Sequence, residues 1–453
     1  MLSNRRAARP LRLVLLIAVL YVLYWVSGFP RTYDDDELPP NQRPNEAASA
    51  VHLDQLIVSV KTTTSNAWAE LPPLLLLTDP AYHDTLLLMG DLQLNLGQFR
   101  VEDVLDRYTE SFVAENEELE RYRKTLDFAV NSIDFIKLKE RDLRKEKQAL
   151  AKLDKYKILR WIERTWLLRP ERRWYLFTEP DVYLVRPNLL SWLGGYDPGE
   201  HHFFANAPVP DSGHTFILSE GAMRAIMVDR PDLIPYYDGN ILGHKNAFEI
   251  LTTVLSTTLN LNRTGIWPGV SEFNPATVPF GSGFWCEHVL AVSNMSADLL
   301  GEMRRFERDR QDEQTNDPLS FADLWFRFMQ PEDLDEPRDD WDNLSSGPGH
   351  GQWNILFEDS WHEEDLGNAA SKAKSGEDSW EACLESCNEN ELCVQWSYSS
   401  VPTWNDNKNG DTKCHLSRNM KFGSHVDAQE LEQAGKERMA QREVPGLGQA
   451  AEM

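Results

Sequence analysis

The segment WYLFTEPDVYLV places two carboxylates one residue apart, Glu179 and Asp181, directly after a short apolar run. A short apolar run bounded by turn residues is typical of a buried strand, so both side chains would lie at its end. Burying an unpaired carboxylate is costly, so the pair indicates either a turn that reaches solvent or a cation that neutralises the charges. Two oxygen ligands at one point suit Mn²⁺ or Mg²⁺, and such an ion could hold the diphosphate of a departing nucleoside diphosphate.

The elements around this pair predict an α/β domain. Two strand-and-turn segments, LDQLIVSVKTTTS and LPPLLLLTDPAYHD, precede a helical region from about Val101 to Trp166, and WYLFTEPD adds another strand. After the acidic pair, NLLSWL predicts a short helix and HTFILSEGAMRAIM a strand that runs into a helix. Strands separated by helices favour a largely parallel sheet, in which ligands gather where the strands end.

Length and charge limit the classes of function. The 453 residues suffice for a catalytic domain and an accessory module, and the net charge of -26 argues against binding of nucleic acid. The basic run from Lys137 to Arg160 has helical spacing. It predicts a solvated helix face, with a local site for a small phosphorylated ligand as the alternative.

The N-terminus predicts a membrane segment. Arginines precede an apolar stretch of 19 residues, 11–29, which as a helix reaches about 29 Å, enough to span a bilayer core. Residues 1–10 would be a cytoplasmic tail and 30–51 a stem, with the remainder in the lumen of the secretory pathway. A cleaved signal peptide is the alternative, and it gives the same compartment. Sequons at Asn262, Asn294 and Asn343 could carry glycans there.

Longer segments resemble the fungal branch of glycosyltransferase family 31, relatives of the fringe and core-1 β-1,3-glycosyltransferases. The similar segments include LDKYK, the Glu179–Asp181 triplet, the helix from Asn188 to Leu193 and FFANAPVPDSGHTFILSEGAM, and they extend to about residue 345. The resemblance implies a nucleotide-sugar-binding domain of the GT-A type over residues 52–330, in a single-pass type II protein of the Golgi or ER membrane. The implied activity is metal-dependent, inverting transfer of a hexose or N-acetylhexosamine from a UDP-sugar to a glycan or glycoprotein.

Carried over to this chain, the resemblance places Glu179 and Asp181 on Mn²⁺. Asn294 stands where the family has a histidine, and its amide oxygen is the expected third ligand, with the nearby His288 as a substitute. The alternative function is a degenerate relative that binds glycans or serves as a scaffold without transfer.

The resemblance also implies residues for the donor sugar and for the base. Lys157, Gly213 and His214 are expected to contact the UDP-sugar. Asp238, in the segment DGNILG, is the expected general base, with a solvated loop carboxylate as the alternative.

Four cysteines near the C-terminus predict a disulfide-rich module over residues 352–423, after an acidic linker at 331–351 and before a disordered tail at 424–453. A zinc site is the alternative. The pattern is similar to PAN/apple modules, and that analogy implies the pairs Cys383–Cys414 and Cys387–Cys393. Such a module binds proteins or carbohydrates, or else only stabilises the catalytic domain. The remaining cysteine, Cys286, is expected to be a buried thiol.

Overall fold

The chain was described with a computed structural model. It describes residues 51–206, 215–281, 283–313, 317–329, 337–345, 354–355, 376–405, 410–425 and 443–446.

Strands of the described residues form one large and three small sheets. They are β1 (Leu56–Lys61), β2 (Leu86–Gly90), β3 (Leu94–Leu96), β4 (Phe99–Asp103), β5 (Trp174–Thr178), β6 (Tyr183–Leu184), β7 (Phe203–Ala205), β8 (Phe216–Ser219), β9 (Arg263–Thr264), β10 (Val270–Ser271), β11 (Ala291–Val292), β12 (Trp341–Asp342), β13 (Asn354–Ile355), β14 (Gln395–Asn405), β15 (Gly410–Ser417), β16 (Ser424–His425) and β17 (Glu443–Gly446).

The α-helices include one that is much longer than the others, α4. They are α1 (Ala67–Leu77), α2 (Glu110–Glu115), α3 (Glu120–Val130), α4 (Leu143–Leu168), α5 (Arg186–Leu193), α6 (Glu220–Arg224), α7 (Leu233–Asp238), α8 (Ala247–Thr252), α9 (Ala297–Asp312), α10 (Phe321–Phe328) and α11 (Trp380–Asn388). Short 3-10 turns at Pro80–Thr85 and Phe135–Leu138 connect some of these elements.

The large sheet is mixed, with the order β3-β4-β2-β1-β5-β8-β7-β9. Its centre is parallel, since β1 pairs in parallel with both β2 and β5, and β4 extends this part. Beyond β5 the sheet turns antiparallel, because β8 pairs in the opposite direction with β5 and with β7. The connection from β7 to β8 is too short for the crossover that a parallel pair needs, so the predicted largely parallel sheet holds only for the central strands.

Alternating side chains of the central strands face two cores. On β1, Ile57 packs with the α4 side, whereas Val58 and Val60 pack with α1 and α5. This alternation is the two-residue period of a strand whose two faces are both covered. The sheet therefore lies between two layers of helices.

The predicted fold class, a GT-A type α/β fold with an N-terminal transmembrane helix, was wrong. The described residues form an α/β fold around a mixed sheet, and none of their helices is both long and apolar enough to cross a membrane. The longest, α4, has 26 residues but carries lysine, arginine and acidic side chains throughout. The predicted anchor at 11–29 lies outside the described residues. The finding that no described helix could span a membrane also contradicts the predicted membrane-bound location in the Golgi or ER.

The cysteine region forms the disulfides that the analogy implied, Cys383–Cys414 and Cys387–Cys393. Cys383 and Cys387 lie one turn apart on α11 and are fully buried against β14 and β15. This region packs on the rest of the fold, because Phe280 and Met420 exchange backbone hydrogen bonds of 2.8 and 2.9 Å. Because all four cysteines are paired in disulfides, they have no thiolates left to bind zinc, and the alternative of a zinc site was wrong.

Two other expectations concerned single side chains. Cys286 is exposed rather than buried, whereas its neighbour Trp285 packs against Trp325. Asn343 is only 2% exposed and donates its amide hydrogen to the Trp396 carbonyl at 2.9 Å, so it is closed to a glycan in the folded chain. Asn262 and Asn294 are exposed.

Candidate functional site

Polar side chains collect where the central strands of the large sheet end and meet the small sheet of β10, β11 and β6. Lys61 ends β1, and Glu179 follows β5 directly. In the small sheet β10 and β11 are parallel, and β6 runs against β11. Glu272 and Asn294 therefore follow the ends of β10 and β11 on the same side as Asp181, which precedes β6.

Lys61 neutralises the first carboxylate of the acidic pair. Its ammonium lies 3.0 Å from Glu179 Oε1 and 2.7 Å from Asp154 Oδ2. Burial opposes the charge of this ammonium, but the two carboxylates prevail and raise the pKa of Lys61 above its usual value. The positive charge beside Glu179 therefore belongs to the side chain of Lys61, at the place where the sequence predicted a metal ion.

Lys157 lies beneath this ion pair and is fully buried. Its ammonium donates to the Thr62 carbonyl at 3.3 Å and lies 3.8 Å from Asp154 Oδ1. The predicted donor-binding lysine is therefore placed to hold Asp154 and the end of β1 rather than to contact a ligand.

The hydroxyl-rich loop after β1 is held firmly in front of the pair. Asp91, itself buried, accepts hydrogen bonds from the backbone N–H of Thr64 at 2.6 Å and from its hydroxyl at 2.9 Å. Thr62 donates to Glu70 Oε2 at 3.2 Å. This loop leads into α1, whose first turn contributes Glu70 to the same acidic group.

Asp181, the second carboxylate of the pair, is partly buried. Burial and the charges of Glu179 and Glu70 raise its pKa to about 6, although the backbone N–H of Asn294 donates to its carboxylate. The Asn294 side chain is turned elsewhere and donates to the backbone carbonyl of Glu272. The structure therefore brings Asp181 and Asn294 together, but through the backbone of Asn294 and not through its amide oxygen.

Glu272 has a larger pKa shift than Asp181. Burial raises the pKa of its carboxyl from 4.5 to about 7, against the opposing effect of a hydrogen bond with the Asn206 side chain. Asn206 is fixed, because its amide donates to the Val270 carbonyl at 2.6 Å and accepts from the Ile266 N–H at 2.9 Å. A carboxyl with a pKa near 7 exchanges protons readily at neutral pH, as a general acid or base must.

The predicted Mn²⁺ or Mg²⁺ site was wrong. Among the described residues no three His, Cys, Asp or Glu side chains come together in a group that could hold a metal ion. The reason lies in the first neighbours of the carboxylates: Lys61 pairs with Glu179, and an N–H of Asn294 donates to Asp181. The substitute ligand His288 is exposed, and its backbone forms a bridge with Ser320.

The predicted general base Asp238 lies at the C-terminal end of α7 in a separate set of contacts. It accepts a hydrogen bond from Tyr108 at 2.8 Å and forms a short ion pair with Arg160 on α4. Neither partner contacts Glu179 or Asp181. Its arrangement is that of an ion pair between helices, and Gly213 and His214 lie outside the described residues.

Sequence reasoning missed Lys61 and Glu272. Lys61 ends the run LIVSVK, so the rule that ligands gather where parallel strands end could have identified it. Glu272 follows two residues that form a very short strand, and nothing in its local sequence distinguishes it.

No protein-family model matches this chain, and a search of curated proteins found no match either.

Proposed function

We propose that this chain transfers a sugar from a nucleoside diphosphate sugar, with a UDP-hexose or UDP-N-acetylhexosamine as the expected donor, to a hydroxyl group of a glycan or glycoprotein. The observation that carries the proposal is Glu272, a largely buried carboxyl with a pKa of about 7 that directly follows β10, in the same small sheet as β6. The sequence resemblance supplies the class of donor.

Inverting transfer needs one base. Glu272 would take the proton of the acceptor hydroxyl while the oxygen of that hydroxyl attacks the anomeric carbon of the donor sugar. The nucleoside diphosphate would leave with the electrons of the broken bond. Since the pKa of Glu272 is near neutral, its carboxylate is both populated and basic at pH 7 to 8.

The leaving diphosphate needs positive charge and hydrogen-bond donors. The ammonium of Lys61 has three N–H donors, and two of them face Asp154 and Glu179. No other carboxylate among the described residues pairs with Lys61, so the third N–H would donate to a phosphate oxygen. The loop after β1 adds hydroxyl groups, and the 11-residue helix α1 directs its N-terminus to the same place.

A second function, glycan binding without transfer, is favoured by the pairing of Glu179 with Lys61. This ion pair leaves less positive charge for a diphosphate, whereas a carboxylate such as Asp181 suits sugar hydroxyls.

Calorimetry on the full chain tests both functions, with UDP and a panel of UDP-sugars, followed by a transfer assay with each donor that binds. We expect Lys61→Met to lose donor binding and the exposed Lys245→Met to keep it. Glu272→Gln should bind donor normally and lose turnover by about 10²- to 10⁴-fold. Absence of binding to every UDP-sugar would reject transfer, and retention of glycan binding would then select the second function.

A further inference from the structure

A cavity of about 100 Å³ lies on the face of β1 opposite to Lys61. Val58 and Val60 form its floor, whereas Ser59 points to the other face and accepts a hydrogen bond from Trp161 at 2.8 Å. A single water needs about 10–15 Å³, so the cavity is large enough for a small organic ligand.

Arg186, the first residue of α5, lines this cavity with an unpaired charge. Its side chain is 9% exposed, and its guanidinium lies over the Tyr82 ring at 4.2 Å. No described residue accepts a hydrogen bond from it or forms an ion pair with it. Burial lowers its pKa to about 10, against the opposing effects of Tyr82 and Glu307, so the cost of removing this charge from water is only partly offset.

The cavity lining also includes a carboxylate with one oxygen to spare. Glu307 on α9 accepts hydrogen bonds through Oε2 only, from Tyr183 at 2.6 Å and from Arg304 at 3.4 Å. Its Oε1 has no partner among the described residues. Arg304 also lies 3.2 Å from Asp79, so this arginine is already shared between two carboxylates.

The charges of the cavity are balanced as a set. Arg186 and Arg304 oppose Glu307 and Asp79, and all four line the same cavity. A ligand with a single charge would upset this balance, whereas a zwitterion would leave it unchanged. A zwitterion would also satisfy the guanidinium of Arg186 and the open oxygen of Glu307 at once.

We propose that this cavity binds a small aliphatic α-amino acid, with its carboxylate on Arg186, its ammonium on Glu307 and its side chain on Val58 and Val60. A planar carboxylate accepts two parallel N–H bonds from a guanidinium, and an ammonium donates to a carboxylate oxygen. The apolar floor selects a branched side chain of the size of valine.

The test is calorimetry or ligand-observed NMR on the full chain with three probes. L-valine carries both charges, isovalerate keeps only the carboxylate, and isobutylamine keeps only the ammonium. We expect L-valine to bind at least about tenfold more tightly than either half, since each half forms only one of the two ion pairs.

Variants assign the two ends of the ligand. Arg186→Met should reduce affinity for L-valine by about tenfold or more. Glu307→Gln should weaken the binding of L-valine but strengthen the binding of isovalerate, because it removes the negative charge that repels a lone carboxylate. Arg305→Met on the same helix is the control, since Arg305 is 59% exposed.

Three results would overturn the proposal. One is the absence of L-valine binding at concentrations of tens of millimolar to the unmodified chain, a measurement that does not depend on any variant folding. The second is binding of isovalerate as tight as that of L-valine, and the third is L-valine binding that Arg186→Met leaves unchanged.

Discussion

Replacement of Glu272 by glutamine should make the protein more stable at alkaline pH while it removes the proposed base. The pKa of Glu272 rises from 4.5 to about 7 on folding because its carboxyl is buried. At about 1.4 kcal/mol per pKa unit, this difference corresponds to about 3 kcal/mol.

The direction with pH follows from the protons held by each state. Between pH 4.5 and 7 the folded protein keeps a proton on Glu272 that the unfolded chain has lost, so the free energy of unfolding falls as pH rises. Above pH 7 the folded protein carries the full cost of the buried carboxylate. Glutamine cannot ionise and keeps the hydrogen bond with Asn206, so the variant avoids this cost.

Urea unfolding followed by tryptophan fluorescence at pH 4.5, 6, 7 and 8 measures the difference. We expect Glu272→Gln and the unmodified chain to agree at pH 4.5, and the variant to be more stable by about 3 kcal/mol at pH 8. Asp181 also titrates in this range, with a pKa of about 6, but it is present in both proteins and cancels in the difference.

The exposed Glu115 provides the matched control, because Glu115→Gln removes the same charge from a surface helix and should change stability by less than about 0.5 kcal/mol at every pH. A stability difference for Glu272→Gln that is constant with pH, or that has the opposite sign at pH 8, would show that Glu272 is not a buried carboxyl and would remove the basis of the proposed general base.

Two further predictions concern the cysteine region. Burial lowers the pKa of Lys421 from 10.5 to about 7, so between these values the unfolded chain holds a proton that the folded one lacks, and stability rises with pH. Lys421→Met should therefore stabilise the protein by up to about 5 kcal/mol at pH 6 and by almost nothing near pH 10.5, as measured by urea unfolding at both values. Removing Cys383–Cys414, which are 31 residues apart, should cost about 3–4 kcal/mol, against about 2 kcal/mol for Cys387–Cys393, only 6 apart. An equal loss from the two serine double variants in calorimetry would contradict the loop-entropy reasoning.

Local patterns in the sequence were sufficient for several elements. Apolar runs such as LIVSV and WYLFT became the buried strands β1 and β5, and NLLSWL lies within a helix that ends at Leu193, just before Gly194. The prediction of a small disulfide-bonded region also held, because the clustering of four cysteines is visible along the chain. These features depend on residues that are close in sequence, where spacing and propensity act directly.

The candidate site depended on contacts that sequence spacing cannot give. Lys61 and Glu179 are 118 positions apart and meet only because β1 and β5 are parallel neighbours. The charge of Lys61 removed the need for the predicted metal, and the partner of Asp238 turned out to be Arg160 on another helix.

By itself, then, the sequence identified the buried strands β1 and β5, the helix that contains NLLSWL and the disulfide-bonded region, and it placed two carboxylates at the end of a strand. It was wrong for LPPLLLL, which was predicted as a strand and lies in the helix α1. The tertiary structure alone decided the direction of β8 against β5, the cation beside Glu179 and the burial of Glu272. The physical reason is that the charge state and chemistry of a side chain are set by its neighbours in space and by the water they exclude. Those neighbours are brought from distant parts of the chain by the packing of helices on both faces of the sheet.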